Sequence, residues 1–342
     1  MKIGKDQRSG RRFVVLAAVF VIVFFASFLL GRYPVEPMTL IKLLASKIVH
    51  ITPTWEQGAE AAVFQNRLPR VVAAALIGAA LSVAGAAYQG LFRNPMVSPD
   101  ILGASSGAGF GAALAIWLAA GVFTVSLAAF ISGLAAVLLA YALGRASRIH
   151  TTLSMVLSGM MVSSLFTAAT SFLKLIADTD EVLPAITYWL MGSLSNIRPR
   201  QILFLAVPVL VGMGVLFCLR WRLNLLTVSD EEAESMGVNV HRLRAVVIVC
   251  ATLMTAASVA VGGLIGWVGL VIPHFCRLLF GYDYRRLLPS AALMGASFLI
   301  VVDDIARIIA TSELPIGILT AFVGAPVFAW LILTGGVGRE RD

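Results

Sequence analysis

Charge is scarce in this sequence. Only 13% of its 342 residues are Asp, Glu, Lys or Arg, while 59% are hydrophobic; an ordinary soluble domain is roughly a quarter charged. A mean hydropathy of +0.92 excludes a water-soluble domain, and the same composition excludes intrinsic disorder. Cysteine is nearly absent. Cys218, Cys250 and Cys276 are odd in number, far apart and set in apolar stretches, so they read as small buried thiols and not as a disulfide framework. The four histidines, His50, His150, His241 and His274, have no metal-ligand spacing. There is no Gly-rich phosphate loop of Walker type. No apolar segment carries the Asp–Lys or Glu–His pairs that ion-coupled carriers use as relays. The pI of 9.8 does not indicate a nucleic-acid binder, because the basic residues are scattered between apolar blocks.

Long apolar runs dominate what is present. Ten lie at about 13–31, 68–92, 101–119, 122–143, 152–173, 201–219, 245–262, 264–280, 287–302 and 314–334. A bilayer span takes about 20 residues, so the expectation is an all-α, polytopic membrane protein of ten transmembrane helices, one domain over 1–342. The run at 264–280 contains Pro273, His274 and Arg277 and reads as a short or broken span. The first run has no small-residue cleavage region and reads as a retained span, not a removed signal peptide. Pro184 to Asn196 is apolar but too short to cross, which suggests a re-entrant or surface helix. The longest polar connections are 32–66, 174–200 and 220–244.

With ten spans, alternate loops collect 17 and 9 of the 26 basic residues, while the acids divide equally. The positive-inside rule then puts both termini in the cytoplasm. Small residues recur every four positions, at Gly78, Ser82, Ala86 and Gly90 and at Gly103, Gly107, Gly111 and Ala115. That spacing predicts closely packed helices.

Four segments stand out. Arg93 to Asp100 holds Asn94, Pro95 and Pro99 between two spans; Ser98 or Asp100 is placed to cap the next helix. This is either an ordinary turn or a break lining a path. Ser229, Asp230, Glu231, Glu232, Ala233, Met236 and Gly237 form a capping box with acids in the first turn and a closing glycine. The charge count puts this mini-helix in the cytoplasm, as a docking surface or as a connector. Arg67, Arg70 and Arg307 fall on the opposite side, as snorkelling anchors or as a docking set for an acidic extracytoplasmic partner. Gly262 to Leu270 allows a sharp reversal; His274 and Arg277 follow it without any nucleophile at a recognisable spacing.

These motifs in order resemble the permease subunit of bacterial ABC importers for iron–siderophore complexes, haem and vitamin B12. The resemblance rests on Gly85 to Gly90 with Gln89, on Asn94-Pro95-Met96 and Pro99, and on Leu102-Gly103-Ala104-Ser105-Ser106-Gly107-Ala108. It continues through Gly266 to His274, Glu313-Leu314-Pro315-Ile316-Gly317 and Gly324-Ala325-Pro326. Met96-Val97 stand where leucine and alanine are usual. The resemblance implies a vitamin B12 permease-like bundle with a second permease copy, two cytoplasmic ATPases and an extracytoplasmic substrate-binding protein. The subunit itself would hold no cofactor and no metal; ATP and magnesium would sit on the ATPase. The helix near 230–236 is similar to the coupling helix, and the three arginines are similar to those that meet the binding protein. Gln89, Asn94, Pro95, Pro99, Gly103, Ser154 and Ser158 would flank the translocation path. Ser147, Thr151 and Thr152 would belong to its cytoplasmic gate. A ferric siderophore is the expected cargo, with haem or vitamin B12 as alternatives. The rival classes are an ion-coupled carrier, a membrane scaffold and an intramembrane enzyme.

Overall fold

The computed structural model describes residues 3–31, 33–47, 55–147, 151–195, 197–309 and 313–333. Expectations that fall on His50, His150, Asn196, the gate residues 148–150, and Lys2, Arg32, Arg148, Arg339 and Arg341 lie outside the described residues. Every regular element among those described is helical. In chain order they are α1 (Ile3–Ala26), α2 (Pro37–Ser46), α3 (Gln57–Ala61), α4 (Leu68–Leu91), α5 (Ala104–Trp117), α6 (Val122–Ala146) and α7 (Thr151–Ile176). There follow α8 (Val182–Leu190), α9 (Pro199–Leu223), α10 (Asp230–Ser235), α11 (Val240–Gly262), α12 (Val268–Phe280), α13 (Tyr284–Ile308) and α14 (Ile316–Leu333).

The helix count differs from the expected ten. Ten helices coincide with the ten apolar periods, and four short ones are added. Two of the four, α8 and α10, fall where the apolar piece after residue 184 and the capping box stand. The other two lie in 32–66, which reads as a plain polar connection and is not one. Pro37 opens α2, and Leu40 and Leu43 fix it to the bundle. From α3 the chain runs through one π-helical turn, Ala62–Arg67, straight into α4. Nor do all ten apolar helices have membrane length. Five stretches do, by length and composition: Gly58–Leu91, Val122–Ala146, Thr152–Ile176, Pro199–Thr227 and Val240–Gly262. With 14 and 13 residues, α5 and α12 reach only about 20 Å, against a hydrocarbon layer of about 30 Å. Positive φ angles at Gly263, Trp267 and Gly281 break the chain on both sides of α12, which accounts for the short span expected there.

The centre of the bundle is α4. Twenty of its 24 residues are buried, and α13, α11, α12 and α9 close around it. The small residues make this possible. A Cβ on Gly78 would overlap the carbonyl of Gly295 in α13, and one on Gly295 would overlap Ser82. Gly107 and Gly111 serve the approach of α5 to α6 in the same way, so the four-residue spacing does mark helix contacts. By contrast α7 leaves Leu157, Met160, Met161 and Leu165 exposed. Within a single chain such a face turns to lipid or to another protein.

Candidate functional site

Because α4 is about 36 Å long, residues before it and after it belong to opposite ends of the bundle. Arg67 and Arg70 mark one end and Arg93 the other. Running antiparallel to α4, α13 starts near Asn224 and ends beside Arg70. The two candidate regions read from the sequence therefore sit at opposite ends of the same helix pair.

At one end is α10. Ser229 Oγ accepts from the Glu232 N–H at 3.2 Å, and the Glu232 carboxylate accepts from the Ser229 N–H at 3.2 Å. The reciprocal box satisfies two donors that a six-residue helix would otherwise leave open. Gly237, at φ +81, closes it, with the Val238 N–H bonded to the Ala233 carbonyl. Ala233 alone is buried; Glu231, Glu232, Glu234 and Met236 are exposed. Asp230 fastens the helix to the bundle. Its carboxylate accepts from Arg244 of α11 at 2.8 Å and from Arg93 at 2.5 Å, and Arg93 also donates to the Leu226 carbonyl. Burial pushes the Asp230 carboxyl up, but Arg244 and Arg93 outweigh it and hold it below the usual carboxylate range. Asn224 ties the preceding turn to α13, donating to Asp283 at 3.0 Å and accepting from the Tyr284 N–H at 2.9 Å.

At the other end the three arginines are buried and engaged within the chain. Arg70 Nε donates to both oxygens of Asp303, at 2.8 and 3.0 Å, and its Nη1 to Glu313 at 2.8 Å. Arg307 pairs with Asp303 at 3.3 Å, with Asp304, and with Ser27 at 2.7 Å. Arg67 donates to the carbonyls of Phe28 and Tyr33. Three cations meet three acids here, and α1, α4 and α13 are joined. Snorkelling to solvent does not describe this geometry, because the neighbouring carboxylates hold Arg70 and Arg307 inside the bundle. The pairing of Arg307 with Asp303 and Asp304 is legible as i,i+4 and i,i+3 spacing, but the distance along the chain conceals that of Arg70 with Asp303 and Glu313.

Of the residues assigned to a path, Gln89, Asn94 and Pro95 line one cavity. Asn94 Oδ1 accepts from the Met96 N–H in a tight turn. Gly103, at φ +86, is the N-cap residue of α5; neither Ser98 nor Asp100 occupies that position, and Asp100 bonds instead to Ser105. Pro99 is buried against Gly269. Ser154 is buried and donates to the Gly144 carbonyl at 2.9 Å, so it joins α7 to α6. Thr152 and Ser158 are half-buried, Ser147 ends α6 and Thr151 starts α7. Gln89 is buried, its amide donating to the carbonyls of Val97 and Leu270.

An all-helical bundle with several membrane-length apolar helices, and with charge gathered at its two ends, is a multi-pass membrane protein. The chain belongs to the FecCD transport family, whose sequence pattern matches residues 19–334, and is an ABC importer permease. It is 39% identical over 319 residues to the molybdate import system permease protein MolB of Haemophilus influenzae, covering 93% of this chain and 94% of that one. A probable iron chelatin transport system permease of Helicobacter pylori is 42% identical over 276 residues, 80% of this chain and 83% of that one. The solved structure of a metal-chelate type ABC transporter in an inward-facing conformation superposes with a TM-score of 0.86 at 37% identity, covering 95% of this chain and 99% of the other.

Proposed function

We propose that this permease passes a metal chelate, a ferric siderophore in the first instance, inward by ATP-driven alternating access. Two copies form the pathway, α10 seats in a groove of a cytoplasmic ATPase, and a binding protein delivers cargo at the arginine end. The observation that carries the reading is α10 itself. A connector needs no reciprocal capping box, no two-arginine anchor and no outward row of Glu231, Glu232, Glu234 and Met236. Its anchor ties it to the ends of α4 and α11, so a push on α10 would move the two most buried helices. The chain supplies no covalent chemistry in this mechanism. It supplies a wall, a hinge and two docking faces.

A chelate suits the exposed stripe of α7. Leu157, Met160, Met161, Ser164, Thr167 and Ser171 are uncharged and exposed. That wall holds a bulky, charge-masked cargo weakly and offers a bare dianion no counter-charge. The similarity to a molybdate permease favours a second reading, an oxyanion cargo. Uptake by the reconstituted complex, with ferric chelates, haem, cobalamin and molybdate in parallel, separates them. Transport of molybdate alone refutes the chelate reading. Docking is tested separately. Removal of residues 230–236 should abolish ATPase co-purification and leave binding-protein capture intact. At the other end an acid of the binding protein has to compete with Glu313 for Arg70, so Glu313→Gln should tighten capture several-fold. Unchanged capture in that variant would remove the arginine end from the docking surface. Sidedness is checked with Met236→Cys and Glu60→Cys in a cysteine-free background. The two must label from opposite faces of intact cells.

A further inference from the structure

Beside α10 lies a cavity of about 600 Å³, walled by the end of α4, the turn before α10, the last turn of α12 and the start of α13. Its charges are unevenly satisfied. Arg93 in the wall is committed to Asp230 and to a carbonyl. Asp283, the one carboxylate in the wall, accepts from Asn224 and from the backbone and guanidinium of Arg285. Arg277 is different. It is only 9% exposed, and among the described residues its Nη1 is buried without a hydrogen-bond partner and no acid pairs with it. The other buried arginines all have partners: Arg70, Arg244 and Arg307 have carboxylates and Arg67 has two carbonyls. A second orphan belongs to a residue of the same wall. Gln89 uses its amide nitrogen on two carbonyls, while its Oε1 is buried with no donor.

A buried guanidinium without a counter-charge is costly, and so is a buried carbonyl without a donor. One ligand chemistry answers both: an anionic oxygen for Arg277 and an adjacent hydroxyl for the Gln89 oxygen. We propose that this cavity is a binding site for a phosphate-type oxyanion carrying a hydroxyl group, with Arg277 as its cation and Gln89 as its acceptor. Hydrogen phosphate has that chemistry, and so does a phosphoglycerol lipid headgroup. Leu278 and Leu279, in the same turn of α12 as Arg277, are exposed. The site also bears on α10. Its wall contains Arg93, Asn224 and Thr227, so an occupied cavity stiffens the turn on which α10 is mounted. Nothing in this depends on the cargo or on the docking roles proposed above.

The test uses the full chain in nanodiscs of phosphatidylcholine, with or without phosphatidylglycerol, in chloride or in inorganic phosphate at equal ionic strength. Thermal stability, retained lipid in native mass spectrometry and hydrogen exchange over residues 224–237 are read. Wild type should gain stability and exchange protection with phosphatidylglycerol or with phosphate. Arg277→Gln should lose at least tenfold in apparent affinity for the same additive; Arg277→Lys should retain part of it, and Arg242→Gln, exposed and outside the wall, all of it. A response to phosphatidylglycerol alone identifies a lipid site, and a response to phosphate in phosphatidylcholine identifies a soluble oxyanion; both support the proposal. If Arg277→Gln does not fold, the wild-type comparison of phosphate and phosphatidylglycerol with chloride decides. No response in wild type, or an equal response in Arg277→Gln, overturns it. So does a disulfide trapped between Arg277→Cys and a cysteine replacing an ATPase acid, since a partner's carboxylate would then fill the site.

Discussion

Replacing Asp303 by asparagine keeps the shape of the side chain and removes one charge from the centre of a buried network. Asp303 is 1% exposed and faces both Arg70 and Arg307. Breaking a buried pair by neutralising one partner costs about 3–5 kcal/mol, because the other charge stays behind without compensation. Here each arginine keeps a second acid, Glu313 for Arg70 and Asp304 for Arg307, so the lower end of that range, about 3 kcal/mol, applies. Glu313→Gln is the control. Glu313 is 29% exposed at the side chain, where water screens the pair and its loss costs about 1 kcal/mol or less. The two variants should therefore differ by about 2 kcal/mol, roughly thirtyfold in the folding equilibrium. Detergent-solubilised protein is followed by size-exclusion chromatography after graded heating, with chemical denaturation as a second measure. Exchanging the pair for apolar side chains, as Arg70→Met with Asp303→Leu, should recover most of the loss, because the desolvation cost then disappears with the charges. If Asp303→Asn is as stable as Glu313→Gln, the network contributes nothing beyond a surface pair and the reasoning fails.

Three further outcomes are expected. Ser229→Ala removes the N-cap of α10, costs about 1 kcal/mol, and should raise hydrogen exchange over residues 230–236 while leaving α11 unchanged. Gly295→Val forces α13 away from α4 at Gly78 and Ser82; overpacking of about 1–3 kcal/mol or more should lower the yield of monodisperse protein far more than Gly214→Val, where a Cβ meets nothing. The Asp230 carboxyl is held below its ordinary range by Arg244 and Arg93. The stability it adds is therefore complete above the unfolded value of about 3.9 and disappears as pH falls through the depressed folded value. Proteolysis near residues 224–237 should stay constant from neutral pH to about 5 and rise only in stronger acid; a rise already near pH 6 would point to another group.

What the sequence revealed was local. The capping box at Ser229 and Glu232 is three residues wide and the period of Gly78 and Ser82 is four, so both could be read before any packing was known. The turn at Asn94 is equally short-range. The ion network was hidden because Arg70 and Asp303 lie 233 positions apart, and no local rule joins them. That is why Arg70 reads as an anchor or a docking residue; Arg307 has Asp303 and Asp304 at i,i+4 and i,i+3 spacing, which is legible in the sequence. The same distance concealed the isolation of Arg277, which follows only from knowing that Asp283 is already taken. The two helices missed in 32–66 are short, and α2 buries only Leu40 and Leu43, too weak a period to stand out from a polar loop. Segment lengths of about 20 residues gave the right number of apolar helices but not their spans, because the breaks around α12 depend on backbone angles at Gly263 and Trp267 and not on hydropathy.

The packing also limits where this permease can bend. Both ends of the bundle are carried by the same two helices. Arg70 opens α4 and Gln89 closes it; Asp283 caps the start of α13, while Asp303 and Arg307 lie at its end. Between them the helices meet through Gly78, Ser82 and Gly295, with no room for a single Cβ. Such a contact does not slide, since any shift brings a side chain onto a backbone. The ion network locks one end of the pair, and the bond from Tyr284 to the Ala86 carbonyl locks the other. Motion must therefore fall elsewhere. Glycines at positive φ stand at Gly263 and Gly281 on either side of α12 and at Gly103 before α5, where close-packed helices give way to irregular chain and the backbone tolerates other angles. A cysteine crosslink between α4 and α13 should leave transport intact, whereas one between α12 and α14 should stop it; the reverse result would place the hinge inside the helix pair.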